Sequence, residues 1–504
     1  MKTYCFALAL RAAVVALAAS PTIALTQTAR GPTSIPGLDR ITNADLKRDI
    51  FKLAGDGFRG REAGTLDELR ASMWLAEQAR AIGLEPAGED GTYFQWWPMR
   101  RIRLSDASLV RVGANKLELW RDVVVTPVVD ATLDLPIVFV GQASDAELEG
   151  ADLTGKAVAA LLVPPPNPPG RNLSLSSWRY AGAATRAQAA KLIARGAAAV
   201  VLVADSLAET AFGFYAATSG RGTYSIDTVG AVRRPRPQPP IMLVKRSMEQ
   251  TVRAPDARLT ATLLSESFTY PSVNIVAKVQ GTDPALRNEY VLYSAHQDHD
   301  GVRFNIDGDS IWNGADDNAT VSVAMLGIAR ALVKNRTKRP ALIVWHGAEE
   351  RGLLGSRWHS MFPVIPREQI AAVLNADMIG RNNPDSAALL GAQPPHRNST
   401  DLVELALRAN DLTSKFALDT LWDRPTHPEG WYFRSDHLPY ARLNIPAIEY
   451  STNLHPDYHT PKDEPDRIDI DKLRRMTQWM YATGWLVGNA AQRPRLDPGF
   501  KLER

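Results

Sequence analysis

Four short apolar runs in the second half of the chain constrain its fold more than any other feature. Continuous runs of this length, rich in β-branched residues, are typical of strands that are buried on both faces of a parallel sheet. A stretch with helical spacing of apolar residues, VSVAMLGIARALVKN, lies between the first two runs. This order of elements predicts an α/β fold with a mixed, mostly parallel sheet flanked by helices. The runs are residues 291–295, 341–345, 371–376 and 445–451.

Each apolar run is followed by histidine or acidic residues. In open α/β sheets, ligands bind beyond the carboxyl ends of the strands, so we expect these side chains to gather at one rim of the sheet. One more carboxylate, Asp316, lies in the turn NGADDN between the first run and the helix. The residues that follow the runs are His296, Asp298, Glu349, Glu350, Asp377 and His459.

These side chains predict a site for two metal ions, because imidazole and carboxylate groups suit borderline and hard cations. The Gly- and Asn-rich turn around Asp316 would expose its carboxylate to both ions. Asp298, two residues after His296, would accept the other ring N–H of that histidine and fix its tautomer. Two Zn²⁺ ions carry four positive charges, against three negative charges on Asp316, Glu350 and Asp377. The remaining positive charge would favour ionised water near neutral pH.

Six blocks of the sequence resemble a dizinc exopeptidase family, the one that contains bacterial secreted leucyl aminopeptidases, glutamate carboxypeptidases and the transferrin receptor. The blocks are AHQDHDG, NGADDNA, GAEERGLLGS, NADMIGR, RSDHLPY and DYHTPKDEPDRID. The resemblance implies a zinc exopeptidase fold that holds two Zn²⁺ ions. It implies that Asp316 bridges the ions, that Glu350 and His459 complete one site, and that His296 and Asp377 complete the other.

The same resemblance implies the catalytic roles. Glu349 would be the general base, Asp298 would orient His296, and Tyr458 would stabilise the oxyanion. One departure is that Ala319 and Thr320 stand where many relatives have a Ser-Gly step. Because no ligand position is lost, we do not expect a metal-free, receptor-like relative.

Two residues near the predicted site are candidate substrate-binding groups. His437, in RSDHLPY, would line or support the pocket, with a structural, hydrogen-bonded histidine as the alternative. Arg381, which follows Asp377, would either anchor a substrate carboxylate or pair with a neighbouring acid. We interpret His299 as a loop residue, because its spacing from His296 does not suit a second ligand on one strand.

The resemblance also divides the chain into domains. Residues 31–128 and 265–504 would form two segments of a peptidase domain. Residues 129–264 contain short apolar runs and Pro-rich loops, without recurring pairs of histidines or carboxylates. They resemble an inserted, β-rich protease-associated domain. Its role, either control of substrate access or a passive spacer, stays open.

Residues 1–25 have the pattern of a signal peptide, with Lys2 at the start, an apolar stretch and then small residues. Cys5 is the only cysteine in the chain, so the mature protein would have neither disulfides nor a cysteine nucleophile. We expect a secreted or periplasmic protein that does not associate with membranes in its mature form. A net charge of +3 over 504 residues does not indicate nucleic-acid binding. Nothing in the sequence predicts an oligomeric state.

These observations predict a secreted dizinc exopeptidase that acts on peptides. Among exopeptidases, we expect an aminopeptidase. The chain contains no HExxH, GxSxG or Walker A motif, which excludes the enzyme classes that depend on them. Three alternatives stay open. They are a carboxypeptidase or dipeptidase on the same fold, a glutaminyl cyclase-like acyltransferase that works with one zinc, and a non-enzymatic, receptor-like binding protein.

Overall fold

The computed structural model describes residues 34–165, 177–227 and 237–503. The predicted signal peptide, residues 1–25, lies outside these residues. Ile35–Arg504 form one compact unit. None of the helices in the described part of the chain has the length and apolar character that crossing a membrane requires.

The described residues contain both long helices and extended strands. The helices are α1 (Asn43–Leu53), α2 (Leu66–Ile82), α3 (Asp145–Leu148), α4 (Ser177–Ile193), α5 (Ser206–Thr210), α6 (Phe212–Gly220), α7 (Glu249–Arg253), α8 (Thr320–Lys334), α9 (Leu354–Met361), α10 (Thr400–Leu412), α11 (Leu438–Ala441) and α12 (Ile470–Asn489). The strands are β1 (Glu85–Pro86), β2 (Phe94–Leu104), β3 (Leu109–Val112), β4 (Asn115–Leu117), β5 (Val123–Thr126), β6 (Ala131–Phe139), β7 (Ala157–Leu161), β8 (Ala199–Val203), β9 (Thr223–Ile226), β10 (Ile241–Val244), β11 (Arg258–Leu263), β12 (Ser265–Val279), β13 (Tyr290–His296), β14 (Gly301–Ile306), β15 (Asp309–Trp312), β16 (Ala341–His346), β17 (Ile370–Asp377), β18 (Ser386–Leu390), β19 (Ala417–Leu418) and β20 (Ala447–Ser451). Short 3-10 or π-helical segments are Leu38–Arg40, Asp56–Arg61, Glu89–Gly91, Arg246–Met248, Pro284–Leu286, Ala315–Ala319, Glu349–Arg351, Arg367–Gln369, Trp431–Phe433 and Pro465–Arg467.

The larger sheet is built around the four apolar runs. Its strand order is β19-β18-β20-β17-β13-β16-β12-β2-β9, with β1 paired to β12. The strands β20, β17, β13 and β16 are parallel to one another, whereas β12, β2 and β9 continue the sheet in antiparallel fashion. The predicted α/β fold with a mixed sheet is therefore confirmed, and its parallel pairing is concentrated in the four central strands.

Apolar side chains cover both faces of these central strands. On one face, Tyr293 and Ile343 belong to a core that α1, α8 and α12 complete. On the other face, Leu292 and Leu342 pack with Tyr440 of α11. Successive strand residues point to opposite faces, so a strand that is covered on both sides needs a continuous apolar run. Each large side chain buried in this way stabilises the fold by roughly 1.5–3 kcal/mol.

A second, eight-stranded sheet has the order β4-β3-β11-β6-β7-β8-β10-β5. One of its faces packs against α4 and α6 through Val158, Val200 and Phe212. The sheet includes β3, β4 and β5, which precede residue 129, because β3 pairs with β11 and β5 pairs with β10. The identification of this region as a protease-associated domain, with its limits at 129 and 264, stays a prediction.

Candidate metal centre

Two groups of histidine and carboxylate side chains lie at the carboxyl ends of β13, β16 and β17. Within each group, the potential ligand atoms are all within 4.8 Å of one another. The three-residue group consists of His296, Glu349 and Asp377. The four-residue group consists of His299, Asp317, Glu350 and His459.

The ends of parallel strands position the three-residue group. His296 is the last residue of β13 and Asp377 is the last residue of β17. His296 Nε2 lies 3.6 Å from Asp377 Oδ1 and 3.8 Å from Glu349 Oε2. Glu349 reaches this position because the chain turns sharply after β16, where Ala348 has a φ of 54°.

Loops supply the four-residue group. His459 Nε2 lies 3.0 Å from Asp317 Oδ2 and 3.1 Å from Glu350 Oε1. His299 Nδ1 lies 2.8 Å from the same Glu350 oxygen and 4.0 Å from Asp317 Oδ2. The donors of this group therefore come from four separate loop segments.

Asp317 lies between the two groups. Its Oδ1 is 3.2 Å from His296 Nε2, whereas its Oδ2 is 3.0 Å from His459 Nε2. One oxygen of the carboxylate thus faces each group, which is the position that a bridging ligand would take.

Asp316, which the sequence predicts as the bridge, lies elsewhere. Its Oδ1 accepts a hydrogen bond from the Gly380 N–H at 2.7 Å, and its Oδ2 lies 3.4 Å from His455 Nε2. The Asp463 carboxylate accepts hydrogen bonds from the backbone N–H groups of both Asp316 and Asp317. This contact holds the turn so that the side chain of Asp317 enters the site. Asp317 therefore replaces Asp316 in the candidate ligand set.

The donors fit a pair of divalent cations. Bonds of about 2.0–2.1 Å to a tetrahedral zinc place neighbouring ligand atoms about 3.3 Å apart. The separations of 3.0–3.8 Å around His296 and His459 are close to this distance. Burial opposes a charged imidazole at His459, but Glu350 and Asp317 raise its pKa to about 10. So much buried negative charge attracts a cation, whether a proton or a metal ion.

The chain resembles known proteins across this region. Residues 274–484 match the family model described as Peptidase family M28. This matched stretch carries all the residues of the two groups. It is 26% identical over 179 residues to leucine aminopeptidase 2 of Trichophyton equinum, a match that covers 34% of this chain and 32% of that protein. It is 24% identical over 244 residues to aminopeptidase YwaD of Bacillus subtilis, covering 47% of this chain and 49% of that protein.

The chain thus spans about a third of the first curated relative and about half of the second. A solved structure described as BSAP, a zinc aminopeptidase from Bacillus subtilis, superposes with a TM-score of 0.57 at 18% identity. That likeness covers 92% of this chain and 99% of the other. It confirms the fold expected from the sequence.

Two aspartates of the matched stretch lie behind the histidines of the two groups. Asp298 Oδ1 accepts the Glu349 N–H at 2.9 Å and lies 3.8 Å from His296 Nδ1. The same ring nitrogen contacts the Asp298 backbone carbonyl oxygen at 3.1 Å. Burial raises the pKa of Asp298 to about 6. Asp300 occupies the matching position in the four-residue group, with its Oδ2 3.4 Å from His459 Nδ1. Such outer carboxylates orient a ligating imidazole.

No sequence pattern singles out Asp300, although its contacts in the structure are extensive. Its carboxylate forms ion pairs with three arginines that come from separate parts of the chain. Arg221 lies 3.3 Å from Asp300 Oδ1, just after α6, and Arg351 lies 3.2 Å away, directly after Glu350. Arg303 of β14 contacts the same oxygen. This charge holds the pKa of Asp300 below its usual range in spite of burial.

Arg61, which lies outside the matched stretch, joins the two loops that carry His299 and Asp317. Its guanidinium is fully buried and donates to four backbone carbonyls. The acceptors are the oxygens of Gln297 at 2.8 Å, Leu53 at 3.0 Å, Asn313 at 2.7 Å and Gly314 at 2.9 Å. The signal available in the sequence was an arginine within the turn-rich loop DGFRGREAGT.

Tyr458 lies beside the four-residue group, and its ring centroid is 3.9 Å from that of His459. Its hydroxyl oxygen accepts a hydrogen bond from Arg434 Nη2 at 2.8 Å. A second nitrogen of Arg434 donates to Glu429 Oε2 at 2.9 Å. Although burial opposes the charge, Tyr458, Glu429 and Glu349 raise the pKa of Arg434. A cationic side chain therefore stands next to the proposed oxyanion residue.

The structure pairs Arg381 with an acid and buries His437 away from the two groups. Arg381 donates to Asp457 Oδ2 at 2.6 Å, so its guanidinium pairs with a neighbouring acid. His437 is fully buried, with Nδ1 3.2 Å from Glu449 Oε2, and burial lowers its pKa to about 3. Neither side chain belongs to the two groups.

The interpretation of His299 as a simple loop residue also needs correction. Strand spacing does not govern His299, because β13 ends at His296 and the chain leaves the strand there. The N–H of His299 donates to the Arg61 carbonyl at 3.3 Å, which turns the residue back toward Glu350. His299 is fully buried within the four-residue group.

Proposed function

We propose that this protein is a zinc-dependent exopeptidase with two metal sites, and that it releases residues from the amino termini of peptides. The observation that carries the proposal is the position of Asp317, whose two oxygens face separate groups of histidine and carboxylate donors. The aminopeptidase names of the relatives support the choice of reaction, and so does the zinc aminopeptidase with the same fold.

The residues of the two groups would hold the metal ions. Asp317, His296 and Asp377 would hold one ion, while Asp317, Glu350 and His459 would hold the other. Bound zinc supplies Lewis acidity, which polarises a carbonyl and lowers the pKa of water to near neutrality. The ligand set carries three negative charges, so the charge balance reached from the sequence holds with Asp317 in place of Asp316.

Glu349 is the proposed general base. Burial, together with the negative charge of Glu350 and Asp377, raises its pKa well above the usual range. Such a carboxylate takes a proton from water near neutral pH and passes it to the leaving amine. The hydrogen bond from the Glu349 N–H to Asp298 fixes the backbone at this point.

Tyr458 is the proposed donor to the tetrahedral oxyanion. Arg434 donates to the Tyr458 oxygen, so the hydroxyl acts as an acceptor in that contact and can donate its own hydrogen to a substrate. The nearby guanidinium charge also makes the hydroxyl a stronger donor, because it stabilises negative charge on the phenol oxygen.

A carboxypeptidase or dipeptidase is the second candidate, and Arg434 is the observation that favours it. A guanidinium beside the site is suited to bind the free carboxylate of a substrate, often with two parallel hydrogen bonds. Against this role, the Arg434 nitrogens already donate to Glu429 and Tyr458.

The test is to incubate the purified protein with zinc and either leucine p-nitroanilide or an N-blocked dipeptide. We expect release of nitroaniline and no cleavage of the blocked dipeptide. If only the blocked dipeptide is cleaved, the protein is a carboxypeptidase and not an aminopeptidase. Cyclisation of a peptide with N-terminal Gln, at one zinc per chain, would indicate the acyltransferase. If none of these peptides reacts, the remaining alternative is a non-enzymatic binding protein.

A further inference from the structure

His299 has no role in the proposed ligand sets, although its environment is that of a ligand. The side chain is fully buried. Its Nδ1 lies 2.8 Å from Glu350 Oε1, whereas Nε2 makes no hydrogen bond within the described residues. Leaving a buried polar group without a partner costs roughly 1–3 kcal/mol. In His396, another buried histidine, both ring nitrogens have polar partners, because they contact Asp423 and Glu503 at 2.8 Å each.

The loops around His299 are shaped to admit its ring. Gly314 has a φ of +55°, and a Cβ atom at this position would lie 2.2 Å from His299 Cγ. A residue with a side chain therefore cannot stand at position 314 while the ring keeps its place. Arg61 holds both partners, since its carbonyl accepts the His299 N–H and its guanidinium donates to the Gly314 carbonyl.

The ring nitrogen Nδ1 of His299 converges on the same point as three other donors. It lies 2.8 Å from Glu350 Oε1 and 4.0 Å from Asp317 Oδ2. The ring meets that of His459 edge to face, with 5.2 Å between the centroids. These separations lie on either side of the roughly 3.3 Å expected between donors on one tetrahedral zinc.

We propose that His299 is a fourth protein ligand of the ion that Asp317, Glu350 and His459 would hold. This inference rests on the proposed function, because it concerns one half of the same two-metal centre. A zinc ion with four protein donors is held as in structural sites, whereas one with three keeps a position open. The four-residue group would then bind its ion with the higher affinity. The site of His296, Asp377 and Asp317 would release its ion more readily.

The test measures zinc and cobalt binding to the full-length metal-free protein by competition with a chelator of known affinity. We expect wild type to bind two ions, one much more tightly than the other. His299→Ala should weaken the tighter site by about 100-fold or more, which exceeds the 10- to 100-fold typical of an outer residue. Asp300→Asn removes an outer residue of the same site and so shows how large that smaller effect is. His396→Gln controls for the loss of a buried histidine elsewhere.

A rescue variant separates a missing donor from a packing defect. The Oδ1 atom of an aspartate stands as many bonds from Cβ as histidine Nδ1 does, so His299→Asp should recover most of the affinity. Circular dichroism of the metal-free variants checks that each one folds.

Two results would overturn the inference. One is an effect of His299→Ala no larger than that of Asp300→Asn, and the other is a loss that His299→Asp does not recover. If wild type binds no metal, the proposed function itself fails. If wild type binds two ions and cleaves the anilide while His299→Ala keeps both affinities, only the inference about His299 fails.

Discussion

The two groups of the metal centre use the same kinds of donor but are built in different ways. His296 and Asp377 stand at the ends of adjacent parallel strands, so the register of the sheet sets their separation. The donors of the four-residue group stand on loops, and contacts from Arg61, Asp463 and Asp300 hold those loops in place. One half of the site therefore depends on the sheet, and the other half depends on buried polar side chains from distant segments.

The largest expected effect comes from the residue that the two groups share. Asp317→Asn should lose both metal ions and reduce anilide hydrolysis to the background rate, because each oxygen of Asp317 faces one group. Asp316→Asn is the matched control. It should keep both ions, since an amide oxygen can still accept the Gly380 N–H. Metal analysis after gel filtration measures the difference. If Asp316→Asn loses both ions and Asp317→Asn does not, Asp316 is the bridging residue.

The adjacent residues Glu349 and Glu350 test whether the two groups differ in chemistry. Glu349→Gln should lower kcat by about 10²- to 10⁴-fold, the usual contribution of a positioned general base, and should keep two ions per chain. Glu350→Gln should instead lose the ion of the four-residue group. Steady-state kinetics and zinc content measured on the same samples separate the two effects. A Glu349 variant that remains fully active would refute its role as the base.

The outer carboxylates should affect one group each. Asp300→Asn should weaken metal binding at the four-residue group by about 10- to 100-fold, because the carboxylate contacts His459 Nδ1. Asp298→Asn should weaken the three-residue group instead, through His296. Stepwise removal of metal by a chelator resolves the two sites. Equal effects of both variants on both ions would mean that the groups are not independently supported.

The smallest expected effect concerns a histidine that lies outside both groups. Burial opposes the charge of His396, but Asp423 and Glu503 raise its pKa. Because the folded-state pKa exceeds the unfolded value of about 6.5, this stabilisation is fully present below that pH. It is lost as the pH rises through the folded pKa.

His396→Gln should therefore destabilise the protein by on the order of 1 kcal/mol near pH 5.5 and by less near pH 9. Urea unfolding at the two pH values measures the change. A larger cost at the higher pH would contradict the assignment. Metal content should be unchanged, which distinguishes this cluster of histidine and acids from the two groups.

The sequence by itself determined the fold class and the half of the site that depends on the sheet. Continuous apolar runs require strands that are covered on both faces, and such runs form the four parallel strands at the centre of the sheet. The residue at the end of each strand then follows from the run itself. His296 and Asp377 could be selected in this way, and the pair of glutamates after β16 could be placed at the same rim.

Only the tertiary structure decided which of two adjacent aspartates, and which further histidine, enter the site. Asp316 and Asp317 lie in an irregular turn whose side-chain directions no periodic pattern predicts. Asp463 and Arg61, which are distant in sequence, set the course of that turn and bring His299 beside Glu350. Local sequence does not predict such contacts. Their buried donors and carbonyls come together only when the chain is folded.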